Sequence, residues 1–132
     1  MKNDLVSLLG LVRENRFSYA RALIDPDIRF SMLSIDVAED LRCREHAEDL
    51  GTFNVRIDEK TYKVLDICRV DKAVLNGYVI SISTIFHIID LRRGEGLYEA
   101  FIGKDLFISW GLYIDPYTGV VRSRFGRREL LF

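Results

Sequence analysis

Ala73-Val74-Leu75-Asn76-Gly77-Tyr78-Val79-Ile80 decides how this chain is read, because two short apolar runs flank an Asn-Gly pair. Both central residues of a two-residue hairpin loop need positive φ, and Asn-Gly adopts it at the least steric cost. The segment predicts an antiparallel hairpin with Leu75 opposite Tyr78. Continued without a bulge, that register sets Val74 against Val79, Cys68 against Ile85, Ile67 against Phe86 and Asp66 against His87.

Period-two patterning extends on both sides. Upstream, Phe53, Val55 and Ile57 alternate with Asn54 and Arg56, residues 58–61 can turn the chain, and Tyr62 and Val64 begin a return strand. Downstream, strands are predicted over 97–102, 106–114 and 120–125. They are separated by Gly103-Lys104-Asp105 and by Asp115-Pro116-Tyr117-Thr118-Gly119, where proline presets φ and glycine takes the left-handed position.

The first half reads differently. Leu5, Leu8, Leu9 and Val12 fall on one helical face behind Asn3 and Asp4, which predicts a helix over 4–14. Phe17, Ala20 and Ile24 continue that period until Asp25-Pro26 stops it. Ile28, Phe30 and Met32 alternate as a short strand. Asp36 and Glu39 form a capping box, and Gly51 sits at a C-cap position, so a helix over 37–50 follows. The expected fold is α+β: N-terminal helical segments packed on a mainly antiparallel sheet built of hairpins, in one domain spanning 1–132.

Composition narrows the function. With 132 residues and a net charge of −1, the chain lacks the overall basic field of a non-specific nucleic-acid coat. Cys43 and Cys68 are read as small free thiols, not as a disulfide framework or a zinc site. Glutamine is absent and arginine far exceeds lysine, a hint of a hot habitat and of interface chemistry. Leu5–Val12 lacks the flanks of a signal peptide, and Tyr78–Leu91 falls short of the ~20 apolar residues of a membrane helix. The expected location is cytoplasmic, within the host if the protein is viral, with no membrane contact.

Candidate chemistry is sparse. Asp66 beside His87 would orient the imidazole and make it a general base, the sharpest catalytic arrangement the sequence offers. His46 on the charged helix has no second histidine one turn away, so no metal site is predicted, and no cofactor either. Gly94 and Gly96 lack the context of a phosphate loop. Arg92, Arg93, Arg122, Arg124, Arg127 and Arg128 are the binding candidates, a basic patch across one end of the sheet flanked by Tyr113 and Tyr117. Trp110 is assigned to the core, and Leu130-Leu131-Phe132 to the core or an interface.

Charge split between an acidic helix and an Arg-rich end suits recognition. The function predicted is therefore a small non-enzymatic binding or accessory protein, such as an inhibitor, immunity-type, viral accessory or adaptor protein, meeting a protein partner or itself as a homodimer. One alternative is a nucleic-acid binder using the Arg-rich C-terminal strand. Another is a small hydrolase or nuclease using the Asp66–His87 pair.

Overall fold

Gly10 and the small residues of the first two segments overturn the expected helices. In the computed structural model, which describes residues 5–43 and 53–128, Leu5–Arg13 (β1) and Arg16–Ile24 (β2) form an antiparallel hairpin. Glu14 takes a φ of 54° in the intervening turn. Along β2 the small side chains Ser18, Ala20 and Ala22 point inward while Phe17, Tyr19 and Arg21 point out. Along β1, Leu9 and Leu11 are fully buried, but Leu8 is 63% exposed, so the apparent helical stripe is divided between two sheet faces. Gly10 lies opposite Tyr19, and the Phe17 ring sits 3.5 Å from the point a Cβ would occupy there.

The remaining elements follow in order. Met32–Ser34 (β3) leads into Ile35–Asp40 (α1); Asn54–Ile57 (β4) and Lys60–Val70 (β5) form a hairpin; Lys72–Leu75 (β6) and Tyr78–Ile80 (β7) form the predicted Asn-Gly hairpin. Asn76 and Gly77 have φ of 50° and 81°, as that loop requires. Thr84–Ile89 (β8), Ala100–Ile102 (β9), Lys104–Ser109 (α2), Leu112–Ile114 (β10), Val121–Ser123 (β11) and Arg127–Arg128 (β12) complete the described chain.

Ten strands make one mixed sheet, in the order β12-β7-β6-β1-β2-β9-β3-β8-β5-β4, and β10 with β11 makes a second. Most pairs are antiparallel, but β2–β9 and β3–β8 are parallel. The α+β expectation is thus corrected to a mainly β fold with two short helices. Strands far apart in that order, β1 and β5 among them, contribute Leu9, Leu11, Cys68 and Val70 to one core, so the sheet curls over it. The Asp71 N–H donates to the Val12 carbonyl at 2.9 Å where the two regions meet. Trp110 is fully buried, packs edge-on against Phe86, and donates its indole N–H to Thr84 Oγ1 at 2.9 Å.

Four further expectations change. The strand read over 106–114 begins instead as α2, since Leu106 and Trp110 are buried one turn apart while Ile108 is exposed. Residues 28–31 are loop, with β3 starting at Met32. The helix expected over 37–50 starts at Ile35, because Ser34 is its cap and its Oγ accepts the Val37 N–H at 3.4 Å. It ends at Asp40, and the stretch containing His46 and Gly51 lies outside the described residues. Cys43 and Cys68 are not free thiols: Arg42, at φ 54°, turns the chain after α1 so that the two Cα atoms lie 5.2 Å apart and a disulfide joins them. Among the described residues no helix is long and apolar enough to cross a membrane.

Candidate active site

The loop of residues 25–31 joins β2 to β3 and is held mainly by residues 102–105, with the His87 N–H of β8 donating to the Ser31 carbonyl at 3.0 Å. Asp25 donates its N–H to the Ile102 carbonyl at 2.9 Å, and Lys104 donates its N–H to the Ile28 carbonyl at 2.7 Å. Ser31, fully buried, donates its hydroxyl to Asp105 Oδ1 at 2.7 Å and its N–H to Asp105 Oδ2 at 3.0 Å. Its Oγ also accepts the Gly103 N–H at 2.8 Å. Gly103 is glycine because of this contact: a Cβ there would stand 2.6 Å from the Ile28 carbonyl oxygen.

Within the loop, Asp25 Oδ1 accepts the Asp27 N–H at 2.9 Å, an Asx turn that orients the first carboxylate. Asp25 is half-buried and Asp27 exposed. Both line a cavity of about 350 Å³ whose opposite wall is Val55, Arg56, Ile57 and Asp58 of β4 and its turn. A second cavity of about 550 Å³ shares Ile57 and Asp58 with the first. Its other walls are mainly apolar and aromatic: Leu23, Tyr62, Leu91, Leu97, Tyr98 and Phe101. Burial, reinforced by Asp58 and then Glu95, pushes the Tyr62 phenol above its ordinary pKa, so it presents a neutral hydroxyl. The two cavities form a cleft between the 25–31 loop and the β4–β5 hairpin, with carboxylates at one end and rings at the other.

The residues singled out from the sequence lie elsewhere. Asp66 faces Ile88 and His87 faces Ile67, because the chain between β7 and β8 carries one residue more than an unbroken hairpin allows. Asp66 Oδ1 accepts the neighbouring Ile67 N–H at 2.7 Å instead. The His87 ring packs on Phe30 at 4.4 Å and faces Phe53 at 6.2 Å, and its buried Nδ1 meets no hydrogen-bond partner among the described residues.

The arginines fall into two neighbourhoods. Arg92 pairs with Asp36 and Glu39 of α1, while Arg93 pairs with Asp40 and Glu99. The Glu99 hydrogen bond, with that of Asp40, raises the Arg93 pKa. Acids of α1 and these arginines are therefore intermingled. Arg122 donates to Asp115 at 2.7 Å and to the Tyr78 hydroxyl at 3.2 Å, and Arg124 lies over the Tyr113 ring at 4.9 Å. Arg127 and Arg128 sit on β12 opposite Val79 and Tyr78. Among the described residues no cluster of three or more His, Cys, Asp or Glu is placed to hold a metal.

Sequence reasoning passed over Asp25 and Asp27. Asp25-Pro26 reads equally well as the stop of a helix, and no spacing along the chain links it to Gly103 or Asp105. The available signal is an apolar run, Ala22-Leu23-Ile24, ending abruptly on a carboxylate.

No protein-family model and no curated protein sequence matches the chain. Among solved structures, the retroviral protease-like domain of Ddi1 from Leishmania major is similar with a TM-score of 0.66 at 14% identity, over 94% of this chain and 90% of that one. A retropepsin-like aspartic protease from Rickettsia conorii gives a TM-score of 0.41 at 16% identity, over 88% and 90% of the two chains. The first likeness is one of fold. It corrects the expectation of a non-enzymatic binding module, which rested on missing motifs, to a chain with the fold of a protease-like domain.

Proposed function

We propose that this chain is a peptide hydrolase of the aspartic type, with Asp25 and Asp27 as its working carboxylates. The observation that carries this reading is their position: both line one cavity, on a loop tied to residues 102–105. The resemblance in fold to a domain described as retroviral protease-like supports it. In aspartic chemistry two nearby carboxylates share one proton, because like charges in close proximity oppose double ionisation.

Asp25, whose Oδ1 accepts a backbone N–H, serves as the base and takes a proton from water as the water oxygen attacks the peptide carbonyl. Asp27, protonated, gives its proton to the carbonyl oxygen. Collapse of the tetrahedral diol breaks the C–N bond, Asp25 returns its proton to the departing amine, and Asp27 recovers its own from the diol hydroxyl. The substrate is an extended polypeptide in the cleft, with a large apolar side chain among Tyr62, Tyr98 and Phe101.

Cleavage of a mixed peptide library at acidic pH tests this. Asp25→Asn and Asp27→Asn should each lower kcat/KM by ~10²–10⁴-fold while leaving the circular dichroism spectrum unchanged. A wild-type protein that cuts nothing across the acidic range, or an Asp25→Asn variant as fast as wild type, refutes the reading. A specific activity that falls on dilution would place the second carboxylate on another copy of the chain.

A further inference from the structure

We infer that Asp105 is a positioning residue for the Asp25–Asp27 loop, acting through Ser31; the inference rests on the peptidase reading above. Asp105 opens α2 and does not line the cavity. Its carboxylate nevertheless accepts three donors: the Ser31 hydroxyl, the Ser31 N–H and its own Leu106 N–H at 2.9 Å. The Ser31 hydroxyl group then receives the Gly103 N–H, so one buried side chain joins loop and segment in both directions.

An ionised carboxylate suits this role because it is acceptor-only. Asparagine would turn an NH₂ group toward one of the two Ser31 donors, leaving that donor unsatisfied in a buried place. The loop is otherwise tied by the backbone bonds of Asp25 and Ile28, which fix its start and middle. Asp105, together with the His87 N–H that donates to the Ser31 carbonyl at 3.0 Å, fixes its end, and thereby the path on which Asp25 and Asp27 lie.

Two measurements on the full chain test the inference. In Asp105→Asn, kcat for a cleaved peptide should fall by about 10²-fold with KM little changed, and Asp105→Glu, which keeps an acceptor-only carboxylate, should restore part of the loss. Rates are taken per folded molecule, with the folded fraction read by circular dichroism, so mere loss of stability does not produce the kcat-against-KM split. Ser31→Ala should lower kcat in the same direction, less steeply, and stands in if Asp105→Asn does not fold. Independently of turnover, the Asp25 and Asp27 amides followed by NMR should exchange faster in Asp105→Asn than in wild type, while those of Tyr62 and Val64 keep their rates. Amide exchange rates and kcat values that coincide overturn the positioning role even if the wild type is an active peptidase. A wild type that cleaves nothing sinks the peptidase reading, while the amide exchange still decides the role of Asp105.

Discussion

The two walls of the cleft are built to different standards. The 25–31 loop is tied to residues 102–105 by backbone and side-chain hydrogen bonds, including those of the buried Ser31. On the other wall β5 is anchored to β8, but β4 pairs only with residues 60–63 of β5 and is the last strand of its sheet, and of residues 54–60 only Ile57 is buried. Regions with few buried contacts and exposed hydrogen bonds open at lower free-energy cost. The difference teaches that the carboxylates sit on the more firmly bonded wall, and that the edge strand facing them is the part expected to open first.

The largest test is Gly103→Ala. The new methyl group would meet the Ile28 carbonyl oxygen, part of a backbone that is itself held, so the variant should lose about 1–3 kcal/mol in a denaturant melt. Unchanged stability would mean the loop yields easily, and the contrast between the walls would go. Next comes native-state hydrogen exchange: the amides of Asp25, Ser31 and Lys104 should exchange about tenfold or more slowly than those of Arg56 and Lys60. Equal rates would put both walls in one cooperative unit.

A smaller effect is expected at the hairpin turn. Asp58 holds a φ of 54°, where a β-branched side chain is strained, so Asp58→Val should cost about 1 kcal/mol. Because the change is confined to the hairpin wall, it should raise KM and leave kcat nearly unchanged; a fall in kcat alone would contradict that.

The smallest effect lies outside the cleft and serves as a control. The Tyr117 N–H, followed by Arg122, holds Asp115 below the usual carboxylate pKa. A carboxylate depressed in the folded state stabilises it above the unfolded pKa and loses that contribution as pH falls through the folded one. Acid should therefore loosen the 115–119 turn, read by exchange of the Gly119 amide, at a pH below the ordinary aspartate range. Asp115→Asn should abolish the pH dependence there and leave exchange in the 25–31 loop unaltered.

What could be read from the sequence was what local chemistry dictates. Asn76-Gly77 demands its turn whatever surrounds it, and the strands beside it follow. Leu5, Leu8, Leu9 and Val12 satisfy helical spacing just as well as they satisfy β1; only pairing with β2 and β6 chooses, and that choice involves residues far along the chain. The register slip that separates Asp66 from His87 comes from residues 81–83, which carry no turn signature comparable with Asn-Gly. Asp25 was visible as a residue but not as a site, since its anchor at Ile102 and the Asp105–Ser31 clasp exist only in three dimensions. Reasoning from absent nucleophile and metal motifs also overlooked a chemistry that needs carboxylates alone.

Cys43 and Cys68 close a covalent ring of chain that contains all of β4 and most of β5. A protease nicking the polypeptide anywhere inside that ring would leave one disulfide-linked molecule, with the upstream and downstream pieces parting only after a reductant is added. Damage to the hairpin side of the cleft would thus escape notice on a non-reducing gel, and the cross-link would keep the severed arm tethered to the rest of the chain.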